Sequence, residues 1–216
     1  MDRARGAASD DQFATARDIY PVSRETFDRL NTYAYQLTRW SKAINLIGAS
    51  TEADLWDRHI LDSLQLLQIA GPAKKWVDLG SGAGLPGMVI ACALADVTGS
   101  TVSLVESNAK KTAFLRSMRP AVAPQTEIHT MRVEDYIRTT NTPEIVTARA
   151  LASLSQLFQW VSPWLNQKPL LILPKGRGYE KELSDTDANW SYDLTVHQSR
   201  IDPESVVLKI GNLKPR

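Results

Sequence analysis

What this 216-residue chain lacks narrows its chemistry first: it holds one cysteine and three histidines, and its formal net charge is only +1. A single thiol, Cys92, can close no internal disulfide, and the apolar run from Met88 to Leu94 around it marks a small core residue and a poor nucleophile. No metal site is expected. A nearly neutral chain makes no global case for binding nucleic acid, so any such case must come from local clustering of cations. There is no stretch of 18 apolar residues, and Met1 to Gln12 is polar and charged rather than a signal segment, so the expectation is a cytoplasmic protein with no membrane partner. Internal repeats and low-complexity tracts are also missing. The remaining make-up, 43% apolar and 23% charged, suits one large globular domain, alone or with an extension.

Residues 1–12 read as a disordered or frayed tail. Ser23 then opens a helix whose apolar positions, Phe27, Leu30, Tyr33, Leu37 and Ile44, recur at helical spacing. Thr51, with Asp54 three residues on, has the form of an N-cap for a second helix that carries Leu55, Trp56, Ile60, Leu64 and Leu67 towards Gly71 and Pro72. From Lys75 the pattern alternates. Strands are expected at 75–79, 101–105, near 126–131, 144–148 and 169–173, separated by helices at 85–96, 108–118, near 133–138 and 153–165. A short helix near 178–184 and two strands near 191–198 and 205–211 follow. Alternation of this kind gives a mostly parallel sheet covered on both faces, and a strand pair with no helix between gives an antiparallel hairpin at its edge. The expected class is α/β, Rossmann-like, with seven strands. Residues 13–72 form a helical extension packed on a core domain of residues 73–216.

The most informative stretch runs from Trp76 to Gly87, an apolar strand that ends in Asp78 and enters a turn with Gly80, Gly82 and Gly84. Glycines there let the backbone turn sharply and press against a ligand. The dinucleotide fingerprint is G-x-G-x-x-G, because a pyrophosphate must rest on the helix N-terminus. Here the spacing is D-x-G-x-G-x-G, followed by Pro86, which suits a ligand without phosphate whose carboxylate, ammonium and sulfonium groups need backbone contact and a nearby acid. S-adenosylmethionine is the candidate. The next strand, Thr101 to Val105, ends in Glu106, where a doubly wound fold brings an acid beside the glycine loop to accept both ribose hydroxyls. Glu106 also has the position of a cap for the following helix at Ser107 or Asn108, and the two roles are compatible.

Further motifs follow in order: Asn45-Leu46, Arg58-His59-Ile60-Leu61-Asp62-Ser63, the glycine loop through Leu85-Pro86-Gly87, Lys110-Lys111, Phe114-Leu115-Arg116, Arg132-Val133-Glu134, Arg149-Ala150, Ala152-Ser153-Leu154 and Lys175-Gly176. Over residues 40–176 they closely resemble the RsmG (GidB) family, bacterial methyltransferases acting on guanine N7 of small-subunit ribosomal RNA. The resemblance implies a class I methyltransferase fold. It also implies methyl transfer to the guanine at position 527, in the 530 loop of 16S rRNA, in the small subunit or an assembly intermediate. The expected cofactor contacts are Asp78, Gly80, Ser81, Gly82, Gly84, Leu85, Glu106, Val133, Glu134 and Arg149. Family members commonly carry an Arg-His pair before the last strand, where this chain has Glu204-Ser205, so the contact that arginine would make has no counterpart there. Arg200, in the preceding turn, is the candidate replacement.

The chemistry agrees with the resemblance. Methylating C5 of cytosine needs an accessible cysteine, and methylating an exocyclic adenine amine typically uses an Asn-Pro-Pro-Tyr or Asp-Pro-Pro-Tyr motif; the chain has neither. Guanine N7 offers a lone pair in the ring plane and needs no general base, so the site must supply placement and charge control. Arg149 and Lys175 at strand ends, with Arg132, are the candidates for that work. Lys110, Lys111, Arg132, Lys175, Arg177 and Lys181 are candidate RNA contacts on one rim, with Arg116 and Arg119 nearby. His59 reads better as a satisfied interhelical residue than as a base, and Asp62 and Ser63 as supports that hydrogen-bond the glycine loop or touch the cofactor. Trp40 and Trp56 lie at core spacing. Two other readings remain open: a non-catalytic ribosome-assembly factor, and a nicotinamide-dependent oxidoreductase, against which the glycine spacing speaks. Oligomeric state is not legible, and the chain is taken as a monomer.

Overall fold

A computed structural model describes residues 10–48 and 54–216. Helix α1 (Asp10–Ile19) begins earlier than the composition suggested, so residues 10–12, expected in the tail, form its first turn. The rest of that tail and the Thr51 cap lie outside the described residues. Helix α2 (Arg24–Ile44) starts as its sequence dictates: Ser23 is extended and its side chain accepts from the Thr26 amide. It ends at Asn45, which adopts the left-handed conformation that asparagine tolerates.

The second expected helix is not uniform. It opens as a π-helical turn, Trp56–Leu61, where the Asp62 amide reaches back five residues to the Asp57 carbonyl, and only then becomes α3 (Asp62–Ala70). Apolar spacing fits both geometries, so periodicity could not separate them.

Strands β1 (Lys75–Leu79), β2 (Thr101–Val105), β3 (Glu127–His129), β4 (Ile145–Ala148) and β5 (Leu170–Lys175) are parallel. Helices α4 (Gly87–Ala93), α5 (Ala109–Val122), α6 (Val133–Thr139) and α7 (Leu154–Val161) connect them. The helix expected over 153–165 thus stops early and continues as a 3₁₀ turn, Ser162–Gln167, with Pro163 in its first turn. After α8 (Tyr179–Ser184), β6 (Trp190–Gln198) and β7 (Val206–Pro215) form the antiparallel hairpin, and β7 inserts beside β5. The sheet order is β3-β2-β1-β4-β5-β7-β6. This is the seven-stranded, mostly parallel arrangement the alternation implies.

Two apolar layers cover the sheet. On one face Phe27, Leu30, Tyr33 and Leu37 of α2 share a continuous core with Trp56, Ile60, Met88, Leu104 and Phe114, so the N-terminal helices are built into the sheet's own packing. Trp40 stacks at a tilt on Phe114, and Trp56 on Phe27, which places both tryptophans in packing roles. Val146, Leu157, Phe158, Trp164 and Leu208 fill the other face. Cys92 is fully buried, and burial pushes its thiol up to about 12, so it is inert as a nucleophile.

Candidate active site

The chain runs outward from β1 to β2 and β3, then returns to β4 on the other side of β1. The crevice this reversal leaves at the carboxyl ends of β1 and β4 is where doubly wound sheets hold ligands. A cavity of about 860 Å³ opens there, lined among others by Gly80, Ser81, Gly82, Leu85, Glu106, Val133, Glu134 and Arg149.

The glycine loop divides into an outer and an inner half. Gly82 has φ +56°, and a Cβ built on it would meet nothing nearer than the Gly80 carbonyl at 3.9 Å, so its bare face looks into open space on the cavity wall. Gly84 is different. At φ +100° its missing Cβ would lie 2.8 Å from Leu115 and from Met88, so it is a packing glycine and not the ligand contact expected of it. Asp78 is also corrected. It is 1% exposed beneath the loop, does not line the cavity, and accepts from the Gly87 amide at 3.0 Å and the Thr147 hydroxyl at 2.9 Å. Burial raises its carboxyl to about 6 against the pull of those hydrogen bonds. Asp78 therefore braces the loop from below. From the other side the buried Tyr33 hydroxyl of α2 donates to the Ala83 carbonyl at 2.8 Å. The Ser81 amide donates to the Val105 carbonyl, tying the loop to β2.

Glu106 is on the cavity wall, where it braces both the glycine loop and the start of the next helix. One oxygen accepts from the Gly82 amide at 2.9 Å and the other from the Asn108 amide at 2.8 Å. The helix cap itself is Asn108, whose side chain accepts from the Lys110 and Lys111 amides.

A second cavity, of about 640 Å³, adjoins the first and shares with it His59, Arg149, Ala150 and Leu151. Arg149 follows β4 and projects where the two meet. One guanidinium nitrogen is 3.0 Å from His59 Nδ1 and the other 3.7 Å from Asp62. Arginine can only donate, so His59 Nδ1 accepts and the ring proton sits on Nε2. Burial, then Arg149 and Arg58, lower the His59 pKa to about 4, so the ring is neutral at physiological pH. Its Nε2 is buried and has no hydrogen-bond partner among the described residues. The π turn delivers His59 and Asp62 to the same guanidinium, a use typical of such bulges. Burial raises the Asp62 pKa despite Arg149, Ser199 and Gln65, which lower it. Ala150, the next residue, has φ +52°, a conformation L side chains rarely adopt.

Asp62 and Ser63 do not reach the glycine loop. Asp62 accepts from Gln65 and Ser199, and Ser63 donates to the His59 carbonyl. Arg200 turns away to pair with Asp18 of α1 and lines neither cavity. Lys175 lines the second cavity, donating to Glu182 at 2.8 Å and to the Ala152 carbonyl at 3.4 Å. Lys111 and Arg132 line the first, together with Arg138, which the spacing did not single out. Lys110 is exposed on the first turn of α5. Arg177 pairs with Glu204, and Lys181, on α8 rather than a loop, with Asp185. Arg116 instead donates to Thr130 and the Ile128 carbonyl, bracing β3. Tyr33, Thr147 and the His59–Arg149 contact escaped the linear reading, although the Arg58 to Ser63 block pointed at the segment. Among the described residues no group of His, Cys, Asp and Glu is placed to hold a metal ion.

Comparison with known proteins bears on this geometry. The family model described as rRNA small subunit methyltransferase G matches residues 26–203. Ribosomal RNA small subunit methyltransferase G of Brucella ovis is 47% identical over 208 residues, which is 96% of this chain and 98% of that protein. The Brucella suis biovar 1 protein of the same name matches to the same extent. Among solved structures, a methyltransferase from Geobacter sulfurreducens superposes with TM-score 0.60 at 15% identity, covering 94% of this chain and 96% of that one. A putative O-methyltransferase from Klebsiella pneumoniae gives TM-score 0.60 at 11% identity, covering 94% and 97%. These last two likenesses concern the fold.

Proposed function

This chain belongs to the rRNA small subunit methyltransferase G family, and on that premise we propose that it transfers a methyl group from S-adenosylmethionine to N7 of the guanine at position 527 of 16S rRNA. It does so as a cytoplasmic monomer, on the small subunit or an assembly intermediate. The observation that carries this reading is the wall of the first cavity. The bare face of Gly82 and the Glu106 carboxylate share it, with Arg149 where that cavity meets a second.

The residues present fit the cofactor. Open space at Gly82 admits close backbone approach, and Glu106 can exchange its internal hydrogen bonds for ribose hydroxyls. Ser81, Leu85, Val133 and Glu134 complete the wall. When bound, S-adenosylmethionine supplies an electrophilic methyl group on sulfonium. Guanine N7 would take that group through its in-plane lone pair, with no proton to remove. A base is therefore unnecessary, and a buried neutral His59 is unsuited to be one. His59 and Asp62 instead hold the Arg149 guanidinium, and the Asp62 carboxylate offsets its charge beside a purine that becomes positive. Arg132, Arg138, Lys110, Lys111, Arg177 and Lys181 supply phosphate contacts. Exposed pairs such as Lys181–Asp185 are weak and yield to RNA.

Titration with S-adenosylmethionine and with NAD, followed by labelled methyl transfer to small subunits, tests the reading. The expected result is binding of the first ligand alone and label at guanine N7. Cofactor binding without turnover would leave an RNA-binding assembly factor, and tight NAD binding would overturn the assignment.

A further inference from the structure

We propose that the second cavity seats the acceptor guanine and that Glu182 reads the edge of the base carrying N1–H and the N2 amino group. The inference rests on guanine N7 being the methyl acceptor. The two cavities have a common wall, so ligands in each meet at His59, Arg149, Ala150 and Leu151. A volume of about 640 Å³ falls in the range of small-ligand pockets. For N7 to face the first cavity, the purine must turn its N7 side to that wall. Its N1 and N2 groups, on the other side of the ring system, then face the residues that line the second cavity alone.

Those residues include three acids, and their hydrogen bonding separates them. Asp62 is engaged through both oxygens, by Gln65 and Ser199 on one and Arg149 on the other. Asp202 is likewise engaged, by the Glu204 amide and the Ser205 hydroxyl. Glu182 is held through one oxygen only. Its Oε2 accepts from the Leu154 amide at 2.9 Å and from Lys175 at 2.8 Å, while Oε1 accepts from no described residue. Lys175 and the amide hold the carboxylate by one oxygen and leave the other to accept from a ligand. Guanine presents two adjacent donors on that edge. Adenine presents an acceptor and a C–H there, so the same carboxylate rejects it.

The test compares small subunits reconstituted with 16S rRNA ligated to carry guanosine or inosine at the target; inosine keeps N7 and N1–H and lacks the N2 amine. Single-turnover methyl transfer by the wild type should fall about 10- to 100-fold on inosine, the range for one hydrogen bond to a charged group. In Glu182→Gln the Leu154 amide and Lys175 hold the amide oxygen, turning the NH₂ group towards the base, so the guanosine-to-inosine ratio should drop to about one or below. S-adenosylmethionine affinity, measured in parallel, should match the wild type and certify the fold. A folded Glu182→Gln that keeps the wild-type ratio overturns the proposal, as does a wild type indifferent to the N2 amine, a measurement that needs no variant. If the wild type methylates neither subunit, it is the parent reading that has failed.

Discussion

Asp78 illustrates how much a single buried residue can report. With its folded pKa raised to about 6 from an ordinary 3.8, the native state binds a proton between pH 4 and 6 that the unfolded chain has already released. Its contribution to stability therefore falls as pH rises through that window and levels off above it. His59 acts in the opposite sense. Its folded pKa of about 4 lies below 6.5, so the unfolded chain binds the proton first and stability rises with pH between 4 and 6.5. The two overlap, and only a difference curve isolates either. In Asp78→Asn one atom can still accept from Gly87 and the amide can donate to Thr147. The variant's stability relative to the wild type should thus climb by on the order of 2 kcal/mol between pH 4 and 6. Urea unfolding at stepped pH measures this; a flat difference would mean the carboxyl titrates normally. Gly82→Val should fold and lose cofactor binding by more than about 100-fold in calorimetry, because its side chain enters the cavity and its left-handed backbone adds about 1–3 kcal/mol of strain. Wild-type affinity in that variant would remove Gly82 from the binding wall. That Gly82 and Glu106 share one cavity wall was legible from their spacing. Asp78 and Gly84 were read as ligand contacts because composition marks a turn without saying which of its residues point inward.

At the scale of elements, the link between α2 and the glycine loop is the Tyr33 hydroxyl on the Ala83 carbonyl. Tyr33→Phe leaves a buried carbonyl unsatisfied, which costs about 1–2 kcal/mol and lowers Tm by roughly 2–8 °C in a chain of this size. Because that carbonyl belongs to the loop, S-adenosylmethionine affinity should weaken as well. A melting shift with unchanged affinity would reduce α2 to a packing element. Apolar runs made β1, β2, β4 and β5 legible, because a strand buried on both faces has few other sequences open to it, and the hairpin showed as two strand-like runs with no helix between. Boundaries were less legible. The π turn and the 3₁₀ continuation of α7 were missed, since both depend on packing that periodicity does not encode.

For the whole molecule, a net charge of +1 conceals a gathering of charge around two cavities, where cations such as Arg132, Arg149 and Lys175 are interleaved with carboxylates such as Glu106, Asp62 and Glu182. Arg149→Ala should sharply reduce single-turnover methyl transfer at saturating subunits, because Arg149 faces both cavities. Lys181→Ala should leave that rate nearly intact, weaken binding modestly and lower its salt dependence by up to about one phosphate contact. Rapid-quench assays at several salt concentrations separate the two, and a wild-type saturated rate in Arg149→Ala would make that residue structural. The second cavity could not be read from sequence, because its walls come from segments that meet only in the folded chain. Gln65 and Asp62 of α3 bond to Ser199, and the turn that follows supplies Ile201, Asp202 and Ser205. That long reach also imposes an order in time. A chain emerging from its N-terminus holds every residue lining the first cavity once Trp160 has been added, yet the second lacks part of its wall until Val206. Contacts spanning so much sequence close late. The growing polypeptide thus holds the lining of the first cavity well before that of the second, so under our proposal the place for the methyl donor is in hand before the place for the base.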